Sequence, residues 1–267
     1  GGEIISADSM QVYRHMDIGS AKIRPEQMQG IRHYLIDILE PEEEFHVAEF
    51  QKRCKEAMEQ IYAAGKIPIL TGGTGFYIQS ILYDIDFSEE EKGGIRKRLE
   101  EAAGTPEGAA ALYERLKQVD PDAAAQIHPN NIKRLIRALE FYEDTGQKIS
   151  AHNAEERKKE AAYNACYFVL TEEREKLYQK IEQRIDQMLG EGLVDEVRSL
   201  KERGLSRKNV SMQGLGYKEI LSYLEGECSL EEAVYILKRD TRHFAKRQLT
   251  WFRRERDVIW IEKSQFA

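Results

Sequence analysis

Four groups of residues in this sequence have types and spacing that could do chemistry. Asp8 lies in the acidic turn Ala7-Asp8-Ser9 that follows the strand-like run Glu3-Ile4-Ile5-Ser6, in "EIISADSMQ". In open α/β sheets, ligands bind beyond the carboxyl ends of the strands. A carboxylate there can hold a divalent cation or act as a base; a plain turn or cap aspartate fits the same pattern. The second group is "PILTGGTGFYIQSIL", which reads as a strand, a glycine turn and a helix. Glycines at 72, 73 and 75 would let backbone N–H groups approach a phosphate at a helix N-terminus. The turn is neither GxGxxG nor a Walker A loop, so an ordinary strand-to-helix connection stays open as well.

The third group lies on a helix over 172–189, whose apolar stripe is Leu177, Ile181, Ile185 and Met188. At helical spacing, Arg184 falls about 20° from Leu177 and Arg174 about 60° from it. Both arginines are therefore expected on the buried face, where a guanidinium needs an anion or several acceptors. A structural ion pair or a snorkelling side chain is the alternative. The fourth group is basic. "HPNNIKRLIRALEFYEDTG" buries Ile132, Leu135, Ile136 and Leu139 and leaves Lys133, Arg134 and Arg137 off that face. Between positions 238 and 256, nine Lys, Arg or His stand against two acids, with Phe244, Trp251 and Phe252 among them. Basic residues beside aromatics suit a surface that tracks an RNA backbone; a solvated helix face would look similar.

The elements that must position these groups alternate. Strands are expected at 3–6, 33–38, 66–71, 164–170 and 258–262, with amphipathic helices between them, such as 47–64. That order gives βαβ units and a parallel sheet buried on both faces. From 88 to 126 the chain is charged, helical and strandless, as in a helical insertion. The expected division is a core of 1–87 and 127–267 with an insertion domain at 88–126. The last third is helical up to the final strand. With 41% hydrophobic and 33% charged residues, the 267-residue chain is globular rather than disordered. No apolar run reaches the ~20 residues of a membrane span, and no secretory leader precedes the first strand. Cys54, Cys166 and Cys228 form no metal or disulfide pattern, which fits a reducing compartment. The net charge of −7 argues against a general nucleic-acid coat but not against a local basic groove.

The blocks "ISADSMQVYRHMDIGSAK", "IRHYLIDI", "IPILTGGTGFYIQSIL", "IHPNNIKRLIRALE", "EREKLYQKIEQRIDQML", "SMQGLGYKEIL" and "AKRQLTWFRR" closely resemble the bacterial tRNA dimethylallyltransferase family. The resemblance runs in order over essentially the whole chain. It implies a P-loop NTPase-like α/β core with a parallel sheet and a helical insertion domain. It also implies transfer of a dimethylallyl group from dimethylallyl diphosphate to N6 of adenosine-37, beside the anticodon, with Mg²⁺ assisting. The expected partner is the tRNA anticodon stem-loop, met by a cytoplasmic monomer with no membrane association. Family members open on a strand and a glycine-rich loop ending Gly-Lys-Thr, expected just before Gly1; without it the chain as given lacks a principal diphosphate cradle and is expected to be inactive. The joins at 87–95 and 206–210 read as short for the family.

By resemblance, Asp8 takes a proton from the adenine amine and helps order Mg²⁺. Ser9, Met10 and Gln11 follow it in the same RNA-contacting segment. Arg184 stabilises the diphosphate, with Arg174 a similar candidate. Thr74 and Arg96 match tRNA-contact positions, as do Lys133, Arg134, Leu135, Ile136 and Arg137, and Gln213, Gly214, Leu215, Gly216, Tyr217 and Lys218. The residue types suit the reaction. Arg and Mg²⁺ stabilise the departing charge, a carboxylate takes the proton, and the base must leave its stack. A P-loop kinase of a small nucleoside or metabolite is the competing expectation, because one fold hosts many activities.

Overall fold

The computed structural model describes residues 1–87, 94–156 and 158–265. Contacts divide the chain into two units, residues 1–82 with 163–267 and residues 83–162. In the first unit, β1 (Gly2–Ser6) lies between β2 (His33–Tyr34) and β3 (Ile67–Thr71), all parallel and in the order β2-β1-β3. The helix α1 (Val47–Ala63) crosses from β2 to β3, and α2 (Gly75–Leu82) leaves β3. The N-cap of α1 is His46, whose Nδ1 accepts the Glu49 N–H at 3.3 Å. Phe50, Cys54, Met58 and Ile61 of α1 are buried at helical spacing.

The second unit holds α3 (Ile95–Ala102), α4 (Pro106–Val119), α5 (Pro121–Gln126), α6 (Ile132–Thr145) and α7 (Ile149–Glu156). It extends well past the 88–126 expected for the insertion, because α6 cannot stand apart from it. Leu135, Ile136 and Leu139 of α6 are buried against Leu99 of α3 and Leu112 and Leu116 of α4, in a core of their own. Residues 88–93, at the join read as short, lie outside the described residues.

The first unit resumes with β4 (Tyr167–Thr171), α8 (Arg174–Gly190), α9 (Leu193–Glu202), α10 (Tyr217–Leu224), α11 (Leu230–Phe252) and β5 (Val258–Glu262). The strands β4 and β5 pair in parallel as a separate two-stranded sheet. The join at 206–210 is an ordered turn, closed by Ser206 N–H to Asn209 Oδ1 at 2.9 Å. Two expectations for the strands are corrected. The strand expected over 33–38 stops at Tyr34, because Leu35 and Asp37 have φ of 62° and 54° and cannot continue an extended ladder. Burial on both faces fails for β3 and β4. Ile67, Ile69, Phe168 and Leu170 are all exposed. The core of this unit lies instead among Ile5, Tyr13, Met16, Phe50, Tyr217 and Ile220.

Candidate active site

Central strand β1 ends by presenting Asp8. Its Oδ1 accepts the backbone N–H of Met10 at 2.8 Å and of Gln11 at 3.3 Å, so the carboxylate closes its own turn. Oδ2 has no hydrogen bond among the described residues and is the oxygen open to a cation or a proton. Burial raises the Asp8 pKa, while the two N–H groups oppose that shift. Gln11 extends the turn. Its Oε1 accepts the Ser6 hydroxyl at 3.1 Å, and its Nε2 reaches the carbonyls of Ser20 and Ala21 at 3.4 and 3.5 Å.

The glycine turn sits over the same strand end. Ala7 N–H donates to Thr71 O at 2.8 Å and Thr74 N–H to Ala7 O at 3.2 Å, which places Thr74 beside Asp8. A Cβ on Gly72 would come within 2.3 Å of the Ala7 carbonyl oxygen, so this glycine is required by backbone packing. The far side of the turn is held by α11, where Gln248 Nε2 donates to Gly73 O at 3.0 Å. Gly73 and Gly75 lie against the Gln248 and Trp251 side chains of α11, so packing gives these glycines a role of its own. Tyr77 of α2 stacks on Phe50 at 4.3 Å and meets Phe45 edge-on at 5.9 Å. Burial raises its pKa, as do Tyr13 and Asp8 nearby, so Asp8 stands near a floor of buried aromatics.

Other predicted residues lie elsewhere than expected. Arg184 and Arg174 are both exposed, and neither makes a side-chain hydrogen bond or ion pair among the described residues. The reason is the face on which α8 packs. Its most buried residue is Ile185, flanked by the partly buried Ile181, Met188 and Leu189. Arg184 stands about 100° from Ile185, at the margin of the stripe, and Leu177 marks that margin rather than the centre. An unpaired, exposed guanidinium is available to an outside anion, which a buried ion pair would not be. On α6, Leu135 and Ile136 are core residues, so their side chains are withdrawn from any ligand, whereas Lys133 and Arg134 are exposed without side-chain partners among the described residues. Arg137 and Arg96 share Glu140, at 3.5 and 3.3 Å.

Within the segment 213–218, Gln213 and Lys218 are exposed, whereas Tyr217 is fully buried and Gly216 is buried at the start of α10. Lys218 Nζ lies 3.3 Å from Glu219 Oε1. Met10 packs against Gly214, so the segments 8–11 and 213–218 touch. Sequence reasoning missed Gln248 and Tyr77, although "GGTGFY" and "AKRQLTWF" contain them; their roles appear only when the turn meets α11 and α1. No group of three or more His, Cys, Asp or Glu converges on a common point among the described residues, so a cation here would rely on Asp8 with ligands from outside the protein side chains. No described helix is long and apolar enough to cross a membrane.

Residues 11–255 match the family model described as IPP transferase. The chain is 63% identical over 266 residues to the tRNA dimethylallyltransferase of Lachnoclostridium phytofermentans, covering 99% of this chain and 85% of that protein. It is 52% identical to the enzyme of the same name from Acetivibrio thermocellus, with the same coverage. Among solved structures, it superposes on the full-length tRNA isopentenylpyrophosphate transferase of Bacillus halodurans with a TM-score of 0.71 at 45% identity, covering 98% of this chain and 81% of that one. A eukaryotic dimethylallyltransferase solved acting on tRNA superposes with a TM-score of 0.84 at 32% identity, covering 98% and 67%.

Proposed function

The chain belongs to the IPP transferase family, with its P-loop NTPase-like α/β fold, and from that premise we propose that it transfers a dimethylallyl group from dimethylallyl diphosphate to N6 of adenosine-37 in the tRNA anticodon loop. The observation that carries this reading is Asp8. It is a half-buried carboxylate with a raised pKa, one oxygen tied into its own turn and the other free, at the carboxyl end of the central parallel strand. An adenine amine is a poor nucleophile because its lone pair is drawn into the ring, so a base held ready for its proton serves the reaction directly.

Each residue then has a stated task. Asp8 Oδ2 takes the proton from N6 as the C–N bond forms and the carbon–oxygen bond to the diphosphate breaks. Arg184, exposed and unpaired among the described residues, receives the negative charge of the departing diphosphate, with Arg174 on the same helix as a second donor. Mg²⁺, when bound, supplies further positive charge at the diphosphate. Thr74 and the turn 8–11 face the flipped base. Gln213 and Lys218 contact the RNA from the first unit, and Lys133, Arg134, Arg137 and Arg96 from the helical unit. Leu135, Ile136 and Tyr217 support these positions from beneath. The setting is cytoplasmic, and the protein acts as a monomer.

A P-loop kinase is not favoured, because every relative above carries a transferase name and none is described as a kinase. The test uses the complete protein with labelled dimethylallyl diphosphate, an anticodon stem-loop bearing the target adenosine, and Mg²⁺. Label should appear in the RNA at N6. Phosphoryl transfer from ATP to a nucleoside, with no label in the RNA, would overturn the proposal.

A further inference from the structure

Glu196, in the first turn of α9, has an unusual set of partners. Its Oε2 accepts the backbone N–H of Asp17 at 2.9 Å and of Ile18 at 2.8 Å. Its Oε1 accepts the N–H of Gly19 at 3.1 Å and the Tyr217 hydroxyl at 2.7 Å. Four donors thus converge on one carboxylate, two on each oxygen, and three of them come from consecutive peptide units. Consecutive N–H groups form a concave anion site, filled here by a side chain of the same protein. A Cβ on Gly19 would fall 2.6 Å from the Tyr217 ring, so the loop lies flat on that ring and only glycine allows the approach. The buried Lys22 closes the loop from its other end, binding Tyr13 O at 2.7 Å and the carboxylates of Asp17 and Asp37.

This loop leads back to the site. Gln11 Nε2 reaches the Ser20 and Ala21 carbonyls, and Gln11 N–H is one of the two donors to Asp8. Tyr217 belongs to the segment 213–218, whose Gly214 lies against Met10. One carboxylate therefore joins the 17–19 loop, which Gln11 ties to the Asp8 turn, to the segment 213–218, and so links two segments assigned above to RNA contact that are some 200 residues apart in sequence. We propose that Glu196 is a positioning residue that holds the Asp8 turn and the 213–218 segment in one fixed relation, so that both meet the RNA together. The proposal rests on the functional reading above. Only a carboxylate serves, because all four partners are donors and an amide nitrogen in place of either oxygen would set donor against donor. Burial first, and Glu196 second, raise the Tyr217 pKa well above its ordinary value, which keeps that hydroxyl a donor.

The test is Glu196→Gln in the complete protein, read by steady-state transfer and by amide hydrogen exchange. The KM for the anticodon stem-loop should rise roughly ten- to a hundredfold, the scale of a small misplacement of binding groups. The KM for dimethylallyl diphosphate should hold, and the amides of residues 17–19 should exchange faster. A merely structural role would lower the active fraction and leave both KM values unchanged; that result would overturn the proposal, as would unchanged exchange at 17–19. If Glu196→Gln does not fold, Tyr217→Phe removes one of the four donors alone and should raise the stem-loop KM by a smaller factor; no rise would overturn the proposal. Asp8→Asn is run alongside. Undiminished transfer by that variant would reject the functional reading itself, whatever Glu196 does.

Discussion

Asp8→Asn should separate the chemistry of the site from its architecture. An asparagine oxygen can accept the Met10 and Gln11 N–H groups that Asp8 Oδ1 now accepts at 2.8 and 3.3 Å, so the turn should survive. The charge is another matter. Burial holds the Asp8 pKa above its ordinary value of 3.8, so the folded state binds this proton more tightly than the unfolded one. Stability therefore falls as pH rises between the unfolded and folded pKa, and above the folded pKa the protein carries the whole cost of the buried charge. The neutral asparagine removes that cost. The variant should melt at the same or a higher temperature than the wild type at pH 7, with the gap closing below the unfolded pKa. Transfer should fall by roughly 10²–10⁴-fold, the usual span for a lost general base; that corresponds to about 3–5 kcal/mol in the barrier. The wild-type rate should climb with pH through the raised Asp8 pKa, and the variant should lack that limb. The assay is single-turnover transfer of labelled dimethylallyl to a stem-loop, with thermal melts over the same pH range. A near-normal rate at ordinary Mg²⁺ would return Asp8 to a plain turn residue. Recovery of the rate at high Mg²⁺ would make it chiefly a metal ligand, and a melting temperature that drops along with the rate would make it structural.

Arg184→Ala should cost on the order of 2–4 kcal/mol of transition-state stabilisation, with little change in tRNA affinity or melting temperature, because the side chain is exposed and unpaired among the described residues; equal losses of affinity and rate would refute its assignment to the diphosphate. Charge reversal at Arg134 or Arg137 should weaken stem-loop binding and reduce the slope of log K against log salt by about one per phosphate contact; an unchanged slope for both would place α6 away from the RNA. In the helical unit, Asp120 caps α5 through Ala123 N–H at 3.1 Å and accepts the Ser150 N–H and hydroxyl at 2.9 and 2.5 Å. Burial pushes its pKa up, but these bonds outweigh burial and hold it below the ordinary value. The stability it contributes is therefore present above the unfolded pKa and lost as pH falls through the folded one; Asp120→Asn should cost about 1–2 kcal/mol at pH 7 and less in acid, and a loss independent of pH would refute the argument.

Much of this protein can be read from local pattern. Glu3-Ile4-Ile5-Ser6 followed by an aspartate marks a buried strand with a carboxylate at its end, because strand propensity and turn chemistry act over a few residues. The apolar face of α6 and the cations beside it follow from helical spacing alone, and the structure buries Leu135, Ile136 and Leu139 while leaving Lys133 and Arg134 exposed. The family resemblance is likewise carried by contiguous blocks of residues.

What pattern could not decide is which face meets which neighbour. Arg184 sits within a plausible stripe measured from Leu177, but the packing of α8 centres on Ile185, and the tertiary contact sets that centre. Tyr217 and Glu196 look like an ordinary aromatic and an ordinary helical acid. Their bond to each other, and the bonds from Glu196 to residues 17–19, span up to 179 positions and leave no local signature. The end of the helical unit at 162 rather than 126 has the same origin. Periodicity states that a face is apolar, but only the assembled chain determines whether that face closes on α3 and α4 or on the sheet.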